Sequence, residues 1–518
     1  MNRMSIVARI PIYPWLAAVF PILSLSTSNV GQIETLWVLW AISIAIGVTT
    51  ASIVVYRFLL GSWHKASLAG LATVVAFYAY GPASALVESY LMGKSGVVDT
   101  DDAVTLALQL PMVLSSIWLL LLVACIVLIA KVWRYPSYQL CRPLNVIAAI
   151  LVAIPLVQVV LADRSGAVAS QRRPDFSQAV NIQPLEPPDI YHIVLDGYAR
   201  EDVLSEYYGF DNSSFLGELR RAGFSTVRGG NSNYYWTFLS LASTLNMDYL
   251  TSVLDGPILP GSVDRHPSYQ AIRNNSVATF LGEIGYEYIH LQSTWGATRV
   301  NPHADTFLSC STSLFTNEYF RAIAEASWLR ALSARASANL ASCHATNFET
   351  LATLPSSSKP KFVFSHFVMP HHPYLFDREG RILHDATIAN QFDFRSQLWE
   401  DKSGYIDQLM HVNRMVVEAV SQILKNSIRP PIILIHSDHG PNLKRDLGED
   451  ERRSIRFANF AAIYAPGVEH DLIPDGETPV NYFRRILNEY FDTELPILES
   501  RLYFSEYLRP FNFEEVNF

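Results

Sequence analysis

The sequence predicts an α-helical transmembrane region of five spans, followed by an α/β domain with a mostly parallel sheet covered by helices on both faces. Three observations predict it. Of 518 residues only 17% are Asp, Glu, Lys or Arg, against about 25% in an ordinary soluble domain. The shortage is confined to one part of the chain: residues 1–162 hold 8 basic and 5 acidic residues, and the remainder holds 31 and 43. Long apolar stretches recur in the first part, whereas in the second short apolar runs alternate with amphipathic ones.

The five stretches are Ile10 to Ser26, Leu36 to Tyr56, Ala66 to Val87, Thr105 to Ala130 and Leu144 to Ala162. Each is free of charge and near the ~20 residues that carry a helix across the hydrocarbon core. Pro82, Pro111 and Pro155 fall inside them, which spanning helices tolerate where neighbours re-satisfy the freed carbonyls. A cleaved signal peptide is the alternative for the first stretch, but no small-residue cleavage site stands out and four more stretches follow.

Orientation follows from the basic residues. Arg3 and Arg9 precede the first span, Arg57 and Lys65 separate the second from the third, and Lys131, Arg134 and Arg142 separate the fourth from the fifth. The alternate loops hold Lys94 alone, with Glu34, Glu88, Asp99, Asp101 and Asp102. That bias places the N-terminus in the cytoplasm of a multi-pass inner-membrane protein, and everything after Ala162 outside. The expected organisation is a membrane domain over 1–162, a Ser-, Gln- and Pro-containing juxtamembrane linker over 163–188, and an extracytoplasmic domain over 189–518. A formal charge of −9 argues against nucleic acid as a partner. Four cysteines make no disulfide framework; Cys310 and Cys343, both on the oxidising side, are candidates for one disulfide or for two free thiols.

In the exported part a buried-type strand covers Ile190 to Leu195 and ends in Asp196-Gly197. A helical pattern over Ser213 to Ala222 precedes a short strand at Phe224 to Val227, a Gly- and Asn-rich turn, and a helix from Thr237 to Tyr249. Helix Val277 to Glu283 and strand Tyr286 to Leu291 form the next pair. A helix is expected over Glu318 to Leu340 and a strand over Lys361 to Phe367. The amphipathic helix Lys402 to Lys425 leads to the apolar strand Pro431 to Ile435. Strand Ala458 to Tyr464 and helix Val480 to Tyr490 end the series. Strands separated by helices imply a mostly parallel sheet, whose ligands bind beyond the carboxyl ends of its strands.

Three polar clusters fall at such ends: Asp196; His366, His371 and His372; and Ser437-Asp438-His439-Gly440. Each has an ordinary explanation, because Asp and Ser cap helices and Gly makes turns. Together they place two carboxylates and several imidazoles on one rim, a donor set suited to a divalent metal with mixed oxygen and nitrogen ligands. Thr237 begins a helix after a Gly-Asn turn, among N–H groups that favour an anion; an ordinary N-cap is its alternative reading.

The segments PDIYHIVLDGYAR, NYYWTFLSLAS, PHHPYLFD and IILIHSDHG, in that order after the apolar stretches, resemble the alkaline phosphatase superfamily. Within it they are most similar to the membrane-anchored sulfatase-like branch, which includes lipoteichoic acid synthase and the lipid A phosphoethanolamine transferases. The resemblance makes Asp196, Thr237, Asp438 and His439 metal ligands, Thr237 also the nucleophile, and His371 a contact to the substrate phosphate. It leaves His366, His372, Trp295 and Arg299 as candidates for the substrate pocket. Both named families usually carry Glu where Asp196 stands, and their superfamily's second metal site is not traceable here. One divalent metal, Zn or Mn, is therefore expected. A true sulfatase needs Cys or Ser in a C/S-x-P-x-R context, which neither Cys310 nor Cys343 has.

What the resemblance implies is an enzyme that moves a phospholipid-derived head group, phosphoethanolamine or phosphoglycerol, through a threonine intermediate to a glycan or lipid-sugar hydroxyl at the cell envelope. Its partners are the bilayer, a phospholipid donor and the glycan or lipid-sugar acceptor. A hydrolase using the same metal and threonine, with water as acceptor, is the nearest alternative. A catalytically inactive membrane scaffold is a second, and a transporter is disfavoured by the absence of charge within the spans.

Overall fold

The computed structural model describes residues 10–27, 33, 35–94, 100–131, 137–165, 170, 171, 173, 174, 187–255, 262, 264–311, 317–332, 334–354, 359–383, 398–443 and 447–518. Arg3, Arg9, Glu34, Asp99, Arg134 and most of the expected 163–188 linker lie outside the described residues. The chain divides into two compact units, Met1–Ala167 with Tyr319–Ala334, and Val168–Glu318 with Arg335–Phe518.

The first unit contains α1 (Tyr13–Thr27), α2 (Thr35–Leu60), α3 (Trp63–Lys94), α4 (Thr100–Lys131) and α5 (Cys141–Ser165). Among the described residues, four helices are long and apolar enough to cross a membrane, with spans at Thr35–Leu60, Trp63–Val87, Met112–Lys131 and Cys141–Gln158. The expectation of five spans is corrected at the first. Helix α1 has 15 residues, about 22 Å at 1.5 Å per residue, short of the ~30 Å hydrocarbon core. Its start is closed by the Asn145 side chain, whose Oδ1 accepts from the N–H groups of Ile12 and Tyr13, both at 3.0 Å. Near its end the Ser26 hydroxyl donates back to the Ile22 carbonyl.

Large apolar side chains point outward from the four long helices, Phe58 at 84% and Leu86 at 74% exposure among them, as lipid-facing positions require. Their hydroxyls are satisfied within the helix, Ser43 by the Leu39 carbonyl, Ser67 by Trp63 and Ser116 by Met112. Polar ties between helices include Trp15 Nε1 donating to Thr50 Oγ1 and Tyr56 paired with Thr73.

Residues 319–334 follow a different course from the single helix expected over Glu318 to Leu340. That stretch forms the helix Glu318–Glu325, a 3-10 turn Trp328–Leu332 and the helix Ala334–Thr353, and 319–334 belong to the membrane unit. Tyr319 OH meets Ser26 Oγ at 3.1 Å, Phe320 packs edge-on against Trp37, and Trp328 stacks on Tyr80. Next to Tyr80, Gly81 leaves no room for a side chain: a Cβ there would lie 2.2 Å from the Glu325 carbonyl oxygen.

In the second unit seven strands form one sheet: β1 (Ile190–Leu195), β2 (Ser225–Thr226), β3 (Glu287–Leu291), β4 (Thr306–Leu308), β5 (Lys361–Phe367), β6 (Ile432–His436) and β7 (Ala461–Tyr464). Their order is β2-β7-β6-β1-β5-β3-β4. Strands β6, β1, β5, β3 and β4 are mutually parallel, and β7 runs antiparallel to β6 and β2. Central strands β1, β5 and β6 are buried along their whole length, which is why they read as continuous apolar runs.

Alternation along β1 feeds two cores. Ile193 and Leu195 join Val363, Ile435 and the helix α7 (Lys402–Asn426) through Leu409, Val412 and Val416. Ile190 and Val194 join Phe362, Leu434 and the helix α6 (Thr237–Asn246) through Leu239 and Leu245. A third helix, α8 (Glu449–Phe457), precedes β7, and the chain ends in an antiparallel hairpin of β8 (Leu502–Glu506) and β9 (Arg509–Val516). Cys310 and Cys343 are joined in a disulfide with a Cα separation of 4.8 Å.

Candidate active site

The site is assembled at the carboxyl ends of β1 and β6. Asp196 directly follows β1, and its backbone is fixed on both sides: its N–H donates to the Phe367 carbonyl at 2.9 Å and its carbonyl accepts from His371 N–H at 3.0 Å. Gly197 then turns at φ +68, where a Cβ would strike the Trp399 ring at 2.7 Å, so glycine is required there. The turn aims the Gly197 N–H at Asp438 Oδ1, 3.0 Å away.

After β6, Ser437 exchanges bonds with Phe460, Ser240 Oγ donates to the Asp438 carbonyl at 2.7 Å, and Gly440 N–H donates to the Arg456 carbonyl. A Cβ on Gly440 would lie 2.2 Å from the Ile455 carbonyl oxygen. The Ser-Asp-His-Gly turn is therefore pressed against the end of α8 by backbone contact.

Asp196, Asp438 and His439 are buried, and each offers a ligand atom within 4.8 Å of the other two. His439 Nδ1 lies 3.0 Å from the Gly440 carbonyl and can only donate there. Nε2 therefore presents its lone pair, 3.1 Å from Asp438 Oδ2 and 3.8 Å from Asp196 Oδ1. Those two carboxylate oxygens are buried and meet no hydrogen-bond donor. Two buried carboxylate oxygens without donors, converging with an imidazole nitrogen, form a mixed oxygen and nitrogen set that matches Zn²⁺ or Mn²⁺ chemistry.

Electrostatics agree with that fit. Burial and the nearby Asp196 charge push Asp438 well above the usual carboxylate range. Asp196 is also penalised by burial, but His371, His366 and His439 together hold it below its ordinary value. Burial, helped by the Arg456 charge, keeps His439 neutral and so ligand-competent.

Thr237 is the first residue of α6, and Trp236, not Thr237, takes the N-cap place. Its hydroxyl is therefore free of capping duty and lies 2.9 Å from His439 Nε2. Trp236 is held in turn by its indole N–H, which donates to the Ser505 carbonyl of β8.

The structure thus brings Asp196, Thr237, Asp438 and His439 together, with two imidazoles alongside. His366 Nε2 stands 3.6 Å from Asp196 Oδ2, and its Nδ1 is paired with Thr298 Oγ1 at 2.9 Å. His371 sits beside Asp196 with Nδ1 donating to the His372 carbonyl. The His372 ring packs against His371 and Trp399. Trp295 caps the short helix Gly296–Arg299 and meets His366 edge-on at 5.6 Å. Arg299 is the last residue of that helix.

One residue absent from the sequence reading belongs to this set. Arg456 of α8 is buried, and its Nη2 lies 2.8 Å from His439 Nε2. Its signal in the sequence is faint: an arginine between Ile455 and Phe457, on the buried side of a helix otherwise rich in charge.

No family model and no curated protein matches the sequence. Among solved structures, the chain is similar to the zinc complex of the C-terminal periplasmic domain of EcEptC from Escherichia coli. The identity is 12% and the TM-score 0.44, covering 66% of this chain and 96% of that one. It is similar along 94% of its length to the integral membrane lipooligosaccharide phosphoethanolamine transferase A of Neisseria meningitidis, of which 95% is covered, at 12% identity and a TM-score of 0.40. A third such structure is the lipoteichoic acid synthase LtaP of Listeria monocytogenes, at 12% identity and a TM-score of 0.38, with 60% of this chain and 76% of that one covered.

Proposed function

We propose that this protein is a membrane-bound, metal-dependent phosphotransferase. It moves a phospholipid-derived head group, phosphoethanolamine or phosphoglycerol, through a threonine intermediate to a glycan or lipid-sugar hydroxyl at the cell envelope. The observation that carries the reading is the place of Thr237 Oγ1, 2.9 Å from His439 Nε2, where Asp196 and Asp438 also converge.

A threonine hydroxyl is a weak nucleophile at neutral pH. A divalent Zn²⁺ or Mn²⁺ held by Asp196, Asp438, His439 and Thr237 would supply Lewis acidity, which lowers the pKa of a bound hydroxyl and offsets charge on phosphoryl oxygens. Thr237 Oγ attacks phosphorus, the bond from phosphorus to the diacylglycerol oxygen breaks, and that oxygen leaves with a proton. The acceptor hydroxyl then attacks the same phosphorus, and Thr237 regains its proton. His371, neutral with Nδ1 committed to the His372 carbonyl, keeps Nε2 available to take up a proton and hand it to a leaving oxygen.

Two features support the expected location, with the N-terminus in the cytoplasm and the site outside. Arg57, Lys65, Lys131 and Arg142 fall at the expected inner ends. Residues 319–334, which belong to the exported part of the sequence, touch Ser26, Trp37 and Tyr80 towards the opposite ends.

The test is incubation of the full chain with phosphatidylethanolamine or phosphatidylglycerol, followed by mass spectrometry of the Thr237 peptide. An adduct of head-group mass and release of diacylglycerol are expected. Diacylglycerol release at the parental rate by a correctly folded Thr237→Ala variant would sink the mechanism, and free head group without transfer to an acceptor would mark a hydrolase.

A further inference from the structure

We propose that Arg456 grips a phosphoryl oxygen of the substrate, supplying a fixed positive charge beside a single divalent cation. The inference rests on reading the site as a phosphoryl-transfer centre, and it concerns a residue to which that reading gave no part.

Arg456 is the penultimate residue of a helix whose other arginines, Arg452 and Arg453, are only half-buried, yet it is itself 4% exposed. Its guanidinium is immobilised by two neutral carbonyls: Nε donates to Tyr235 at 3.2 Å and Nη1 to Gly440 at 3.0 Å. The rings of Tyr235, Trp236 and Trp399 surround it, each with its centroid 5.7 Å from Cζ. Aromatic walls and a weakly hydrated fork make such burial tolerable. None of these contacts neutralises the charge, and the carboxyl groups that act on it, Asp438 and Asp196, are the candidate metal ligands.

The remaining arm is the informative one. Nη2 lies 2.8 Å from His439 Nε2, and Thr237 Oγ1 lies 2.9 Å from the same nitrogen. An imidazole nitrogen has one lone pair, so two donors compete for it. Once that lone pair is given to a divalent cation, Nη2 loses its acceptor while Nε and Nη1 keep theirs. The freed N–H would then be a donor on the same side of His439 as the Thr237 hydroxyl, which shares that nitrogen and would attack the phosphorus. A tetrahedral phosphate oxygen, from a lipid head group or from free phosphate, satisfies both the donor and the charge.

The experiment uses the full chain in detergent, loaded with Mn²⁺, with metal content measured per chain and inorganic phosphate titrated by calorimetry. One Mn²⁺ per chain and measurable phosphate binding are expected for the parent. Arg456→Ala should keep the metal within about threefold and lose on the order of 10–100-fold in phosphate affinity. Arg456→Lys, a charge without the fork, should fall between; it also serves if the alanine variant misfolds by near-UV circular dichroism. Phosphate binding unchanged in Arg456→Ala, loss of its metal, or absence of phosphate binding by the loaded parent each overturns the proposal. A normal Thr237 adduct in Arg456→Ala would overturn this inference alone. Arg456-dependent phosphate binding without any Thr237 adduct would instead sink the transfer reading and leave this one standing.

Discussion

His439 Nε2 faces Asp438 Oδ2 across 3.1 Å, with its own Nδ1–H already spent on the Gly440 carbonyl. Two buried acceptors at that distance repel unless a proton or a cation sits between them, and Asp196 adds a third. Burial and the Asp196 charge let Asp438 keep a proton there when no cation is bound, and the Arg456 guanidinium donates to the same His439 nitrogen.

Asp438→Asn should therefore act in opposite directions on binding and stability. Its amide needs no proton to be neutral beside Asp196 in the buried site, so in excess chelator at neutral pH the variant should melt about 2–4 °C above the parent. Divalent metal should no longer bind. Calorimetry with Mn²⁺ and thermal melts in chelator check the two halves separately, and a lower melting temperature in chelator would contradict the repulsion argument.

Thr237→Ser keeps a hydroxyl at the first position of α6, and Thr237→Ala removes it while leaving Trp236 as N-cap. The serine variant should retain diacylglycerol release to within about 10-fold, and the alanine variant should fall by at least about 10³-fold. Metal affinity should drop modestly in the alanine variant, because three of the four candidate ligands remain.

Gly440→Ala has no way to relax. Its Cβ would meet the Ile455 oxygen at 2.2 Å and the Ala458 oxygen at 2.6 Å, both backbone atoms. A loss of about 3 kcal/mol or more is expected. The Ser-Asp-His-Gly turn should separate from α8, seen as faster amide exchange at Gly440, whose N–H is otherwise bonded to Arg456.

His290 makes stability depend on pH. Burial lowers its pKa to about 4 in the folded chain, and its hydrogen bond to the Thr298 carbonyl only partly opposes this. The unfolded chain, with a pKa near 6.5, then binds more protons between pH 6.5 and 4. Stability is full above pH 6.5 and falls as pH drops through that window, by at most about 1.4 kcal/mol per pH unit for this group. His290→Gln should flatten the fall of melting temperature by about one proton's worth, and an unchanged slope would refute the assignment.

Most of the sheet, and Asp196, Asp438 and His439 of the candidate site, were readable in the sequence for one physical reason; Thr237 was read separately, from its place where a Gly-Asn turn meets a helix. Strands β1, β5 and β6 are buried on both faces, so they appear as uninterrupted apolar runs, and the polar residues that end them stand out. Arg456 was hidden because its burial comes from a tertiary partner: in the sequence of α8 nothing separates it from the half-buried Arg452 and Arg453. The short β4 and the terminal hairpin have mixed exposure, with no clean alternation to read. The first apolar stretch overstated itself, because composition reports apolarity but not where Asn145 closes a helix.

The stacking of Trp328 on Tyr80 and the edge-on contact of Phe320 with Trp37 bear on any attempt to release the sheet-bearing portion by cutting the chain near residue 180. Such a fragment would still carry residues 319–334 but would lose every helix they pack on. Tyr319 and Phe320 in the helix Glu318–Glu325 and Trp328 in the 3-10 turn after it would then form a sticky apolar flap in water. Self-association of a soluble fragment, cured by replacing Phe320 and Trp328 with polar residues, is the behaviour this membrane protein should show on the bench.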